Sequence, residues 1–156
     1  MTLRDYIGKM NADLAEKPTK LVSLGFKFSL PNFERDGKTV YSHQERHTIA
    51  AKCYVEGSRH NIELPLIVAR TEKRGGTYGE MWIKSFEAHP DAMVWLDVSL
   101  DDILASVLKR KLDAEKTYHD RIIMAKADYE ALLNSHGLDE DSMDELLSLR
   151  RTAGIY

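Results

Sequence analysis

The chain has 156 residues, 43% hydrophobic and 30% charged, with a formal charge of −3 at pH 7. That length suits one domain burying roughly 70% of its unfolded surface, so no disulfide or structural metal is needed to hold a core. The composition excludes a disordered chain, and the small charge argues against a general nucleic-acid or membrane binder and against an acidic nucleic-acid mimic.

At the amino-terminal end, Thr2 and Asp5 have capping-box spacing, and Leu3, Tyr6, Ile7, Met10 and Leu14 follow at helical intervals until Pro18 stops the helix. The stretch is charged throughout and lacks the apolar centre of a signal peptide. No apolar run reaches the roughly 20 residues needed to span a bilayer. With a single cysteine in the chain, the expected compartment is the cytoplasm.

Val22, Leu24, Phe26, Phe28 and Leu30 alternate with smaller or polar residues, which predicts a strand with one buried face. "PNFERDGK" reads as a loop turning at Asp36-Gly37. Residues 41 to 60 hold three of the six histidines and the only cysteine. As a strand, they place His47, Ile49, Ala51, Cys53 and Val55 on one face. After the turn "EGSR", Ile62, Leu64, Leu66 and Val68 share a face too. Pairing Val55 with His60 sets apolar residues opposite each other across the hairpin. A helix capped by Ser42 and Glu45 is the competing reading; the strand is preferred because one register explains both segments. Pro65 then belongs on an edge or at a bulge.

"TEKRGG" reads as a hairpin loop leading into a further strand, "TYGEMWIKSFE". Its inward face is ambiguous, because Tyr78, Trp82 and Phe86 compete with Met81 and Ile83. Residues 92 to 98, "AMVWLDV", read as another short strand. From Ser99 the period changes. Ser99 and Asp102 open a helix with the apolar stripe Leu100, Ile103, Leu104, Val107, Leu108 and Leu112. After the charged "KRKLDAEKT", apolar spacing resumes at Tyr118, Ile122, Ala125, Tyr129 and Leu132. Unbroken to Ser135, this helix spans about 55 Å. Gly137 is a natural stop, and Ser142 with Glu145 restarts a helix carrying Met143, Leu146, Leu147 and Leu149.

The expected architecture is α+β: an N-terminal helix, a mostly antiparallel sheet of four to five strands, then a long helix and a short one forming a helical hairpin. Residues 1–98 form the helix and sheet, and 99–156 a helical extension packing partly on the sheet, all within one folding domain.

The candidate chemistry is sparse. His43 and His47 in "HQERH" share a helix face, but the glutamate is not where zinc-protease motifs put it, and on a strand the two lie roughly 13 Å apart. Cys53 is expected to be buried, not activated as a nucleophile. His119 and Asp120 are sequence neighbours on a helix and do not face each other, so Glu115 is the expected partner of His119. No P-loop or dinucleotide fingerprint occurs. No catalytic residue, metal site or cofactor is therefore assigned.

The expected function is non-catalytic: an adaptor, inhibitor or assembly factor that binds another protein, or itself, through the C-terminal helices. The candidate contact residues are Tyr118, Ile122, Tyr129, Leu132, Met143, Leu146 and Leu147. One alternative is a nucleic-acid-associated protein using Lys73, Arg74, Lys109, Arg110 and Lys111. The other is an enzyme or small-metabolite binder with a polar pocket that includes His47, Arg70 and Trp82. No membrane contact is expected.

Overall fold

The computed structural model describes all residues except 23–25, 27, 56–60, 135–139 and 155–156; at 77, 140–143 and 146 the backbone alone is described. The order is α1 (Leu3–Glu16), β1 (Phe33–Arg35), β2 (Lys38–Glu45), β3 (Thr48–Tyr54), β4 (Ile62–Arg74), β5 (Glu80–Ala88), α2 (Leu100–Leu133) and α3 (Glu140–Thr152). The five strands pair in sequence order and are all antiparallel, so the protein is an α+β chain built on a meander. It divides into two compact units, Met1–Lys111 and Leu112–Tyr156.

In the first unit, α1 starts at a full capping box, with Thr2 Oγ1 accepting from the Asp5 amide at 3.1 Å and Asp5 accepting from the Thr2 amide at 3.3 Å. Its stripe Leu3, Ile7, Met10 and Leu14 is buried. The inward sheet face follows from the register. Val40, Cys53 and Ile62 meet across three strands, then Ala51 meets Leu64, and Ile49 meets Ile67. These residues form one core with the α1 stripe and with Leu100, Ile103, Leu104, Val107 and Leu108 of α2. Arg4 pairs with Asp97 at 2.9 Å, and the guanidinium holds the Asp97 carboxyl below the usual carboxylate range. Burial pushes the Tyr6 phenol up, and its hydroxyl donates to the Ser29 carbonyl.

Several expectations are corrected here. Among the described residues of 20–30 there is no strand. Lys20 bridges to Trp82, the Ile83 amide donates to Thr19 O at 3.0 Å, and the Leu21 amide donates to Met81 O at 2.9 Å. Beyond that bridge the aromatics serve the core: Phe26 and Phe28 both pack on Phe86, with centroids 5.4 and 5.0 Å away. Alternation there reflects aromatic packing, not sheet pairing; Leu24 lies outside the described residues. The loop at 31–38 contains β1, and Asp36-Gly37 is a two-residue hairpin turn with φ of 55° and 72°, a backbone that glycine adopts freely. The single strand expected across 47–55 is the second arm of a hairpin, β2–β3, which turns at Arg46-His47 with Arg46 at φ 47°. His47 therefore sits in a turn. The expected partner His60 lies outside the described residues.

Two bulges account for the remaining mismatches. One follows Pro65: Ala50 pairs with Pro65 but Ile49 pairs with Ile67, so Leu66 is the extra residue. Beyond it Ile67 and Ala69 are buried, while Val68 is only half-buried. The second bulge skips Lys84, because Arg70 pairs with Ser85 and Thr71 with Ile83. Ile83 and Phe86, three residues apart, are thus both inward, which neither alternating set allowed. Residues 92–98 are not a strand: Pro90–Trp95 forms a 3₁₀ helix, opened by His89, whose Nδ1 accepts from the Asp91 amide at 3.1 Å.

The exposed edge of β5 is closed by side chain and loop. Asn11 donates to Phe86 O at 3.0 Å and accepts from the Phe86 amide at 2.7 Å, imitating a neighbouring strand. Together with the bridge from residues 19–21, this leaves little of that edge free to pair with another chain.

Ser99 Oγ accepts from the Asp102 amide at 3.2 Å and opens α2, a single 34-residue helix about 51 Å long. The charged waist does not break it. Leu112, expected on the apolar stripe, is exposed, and Lys111 takes the inward position at 2% exposure. The 4–3 spacing from Leu104 and Leu108 reaches Lys111, not Leu112.

Candidate functional site

The second unit consists of the rest of α2 together with α3. Along α2, Tyr118, Ile122, Ala125, Tyr129 and Leu132 recur at alternating steps of four and three, the spacing of a helix-pairing seam. Ala125 is buried at 4% exposure, and Ile122, Tyr129 and Leu132 are half-buried. Tyr118, on the same seam, is 59% exposed. On the α3 side, Ala153 is buried, Leu149 half-buried and Leu147 exposed. Of Met143 and Leu146 the side chains lie outside the described residues.

The apolar side chains left in water are large. Met124 is 67% exposed, and Ile123, Leu133 and Leu147 are each about half exposed. Ile123, Met124 and Leu133 fall off the 4–3 seam, so periodicity does not mark them; Met124 is marked only by its residue type, a common interface anchor. A groove of about 460 Å³ runs between α2 and α3 within this unit, lined by Asp120, Met124, Ala125, Asp128, Leu149 and Thr152, among others. Its lining combines the small, buried Ala125 with a flexible thioether and two carboxylates.

A second concavity lies on the sheet face turned away from the core. His43, Ala50 and Pro65 form one cross-strand row, and Ala50, the smallest of them, leaves a depression between its neighbours. The cavity, about 450 Å³, is rimmed by His43, Glu45, His47, Glu63 and His89. The β2–β3 turn brings His43 and His47 to one cavity, where a continuous strand would have held them apart. Among the described residues, no group of three or more His, Cys, Asp or Glu side chains could hold a metal ion. Cys53 is buried, as expected for a small core residue.

The three residues proposed for a polar pocket are not brought together. His47 borders the open-face cavity, Arg70 is paired with Glu87 at 2.8 Å, and Trp82 lines a separate hollow with Lys17, Lys20 and Phe28. Lys20 and Arg74 lie 5.3 and 5.0 Å from the centre of the Trp82 ring, and each also pairs with a carboxylate, Glu80 and Glu72 respectively. The basic cluster on α2 is likewise dispersed: Lys109 is exposed, Arg110 lies 5.6 Å from the centre of the Trp95 ring, and Lys111 is buried.

With a five-stranded meander, a helical pair and these two concavities defined, the chain was compared with known proteins. No protein-family model, curated protein or solved structure matches it. Among the described residues, no helix is long and apolar enough to cross a membrane.

Proposed function

We propose that the protein is a non-catalytic binding protein, an adaptor, inhibitor or assembly factor, that engages another protein through its helical unit. One observation carries this reading: Tyr118, Ile123, Met124, Leu133 and Leu147 are all exposed within a single unit of 45 residues. Interface anchors are commonly aromatic or methionine side chains of this size, excluded from water only when the partner arrives.

Site-specific photo-crosslinking tests it. A crosslinker at 124 or 147 should give one defined adduct in an extract of the native host. A crosslinker at Tyr78, which is also exposed but lies in the first unit, should not give that adduct. Absence of any adduct from 124 and 147, with the chain monomeric in solution, would remove the proposal.

A second reading has a specific observation in its favour. The open-face cavity gathers three imidazoles and two carboxylates around Ala50, a setting for a small polar ligand. Titrating small charged metabolites while following the histidine ring resonances tests it. Perturbation confined to His43, His47 and His89 supports the reading; unmoved resonances reject it.

A further inference from the structure

We infer that the partner of the helical unit presents a basic amphipathic helix, which lies in the groove between α2 and α3. This rests on the proposed function and adds the chemistry of the partner. Charge favours such a partner. Residues 112–156 carry ten Asp and Glu against five Lys and Arg, while residues 1–111 carry fifteen against seventeen. The two units thus have opposite signs, −5 and +2. A second copy docking unit to unit would bring −5 against −5, and a nucleic acid would meet the same repulsion. A cationic partner gains instead.

The geometry of the groove favours it too. Its apolar contacts come from Met124, Ala125 and Leu149, and Asp120 and Asp128 stand on its α2 side. Both carboxylates are exposed and lie eight residues apart, about 12 Å along the helix. Arg121 is the cation in the lining, with Thr117 and Thr152 as neutral polar neighbours. A partner helix with Lys or Arg seven or eight residues apart matches the carboxylate spacing, and its leucine or methionine side chains meet Met124 and Leu149. Met124 adapts to more than one such shape, because its thioether chain is unbranched.

The test uses the full chain and three synthetic peptides of about 20 residues, long enough to form helix on docking. One has a leucine face flanked by lysines seven residues apart. The second keeps that face and replaces lysine by glutamate. The third scrambles the first and so keeps its charge without the stripe. Anisotropy titrations at low and high salt should show the basic striped peptide binding at least about tenfold more tightly than either control. The paired substitution Asp120→Lys and Asp128→Lys should weaken that binding by a similar factor, with the helical circular-dichroism signal unchanged. Equal binding of the glutamate or scrambled peptide, no response to the paired substitution, or no binding of any peptide overturns the inference. If Met124→Glu abolishes binding of the basic and acidic striped peptides alike, the docking face stands and its charge preference falls. The crosslinking experiment above judges the proposed function separately.

Discussion

The two units treat their apolar residues differently. In the first, the sheet, α1 and the opening turns of α2 enclose Val40, Ile49, Leu66, Ile67 and Ile103 completely. In the second, Ala125 and Ala153 are buried, while the larger apolar side chains among the described residues are half-buried or exposed. The same class of side chain is enclosed in one unit and largely exposed to water in the other.

The contrast is broken most easily in the core. Ile103→Ala should cost about 2–5 kcal/mol in urea unfolding, because it removes a fully enclosed side chain and leaves a cavity. Ile123→Ala should stay within about 0.5 kcal/mol. Comparable losses at the two sites would erase the distinction. Next in size, Asn11→Ala should cost about 1–3 kcal/mol, since it strips both backbone groups of Phe86 of their partner at the sheet edge.

Met124→Glu should leave thermal stability within about 0.5 kcal/mol of the parent, yet remove the crosslink formed from position 147. A melting point that falls along with crosslinking would mean that Met124 supports the fold itself. The smallest effect concerns Asp97, exposed beside Arg4. Its folded pKa is depressed, so its contribution to stability is present above the ordinary carboxylate pKa and lost as pH falls through the lower folded value. The difference in melting temperature between the parent and Asp97→Asn should be slight at pH 7 and vanish in strong acid. A difference that grows on acidification contradicts the pairing.

How far the sequence reveals this arrangement depends on whether local chemistry or distant packing decides each element. Thr2-Asp5 and Ser99-Asp102 carry their own caps, and both helices begin where those residues require. The pairing of Cys53 with Ile62 and Ala51 with Leu64 follows the register inferred from apolar alternation. The inward positions of Ile67 and Ile83 follow from single-residue bulges; Pro65 announces the first, whereas no distinctive residue marks the one at Lys84. The 26–30 segment misleads because Phe26 and Phe28 meet Phe86 from outside the sheet, a contact with no local signature. His89-Pro90 is a readable helix opening that the run of apolar residues after it obscured. At the candidate sites, the 4–3 seam of α2 was legible, whereas the exposed Ile123 and Met124 lie beside it. The open-face cavity depends on a tertiary row, His43–Ala50–Pro65, that only the sheet assembles.

Methionine oxidation tests the central claim within one molecule. Met10 is buried, Met81 and Met93 are exposed in the first unit, and Met124 is exposed in the second. Brief peroxide treatment of the purified chain should convert Met81, Met93 and Met124 to sulfoxide readily and Met10 slowly. In an extract of the native host, Met124 should become protected while Met81 and Met93 stay reactive. If Met124 oxidises as fast there as in isolation, no partner covers the helical face and the account is contradicted.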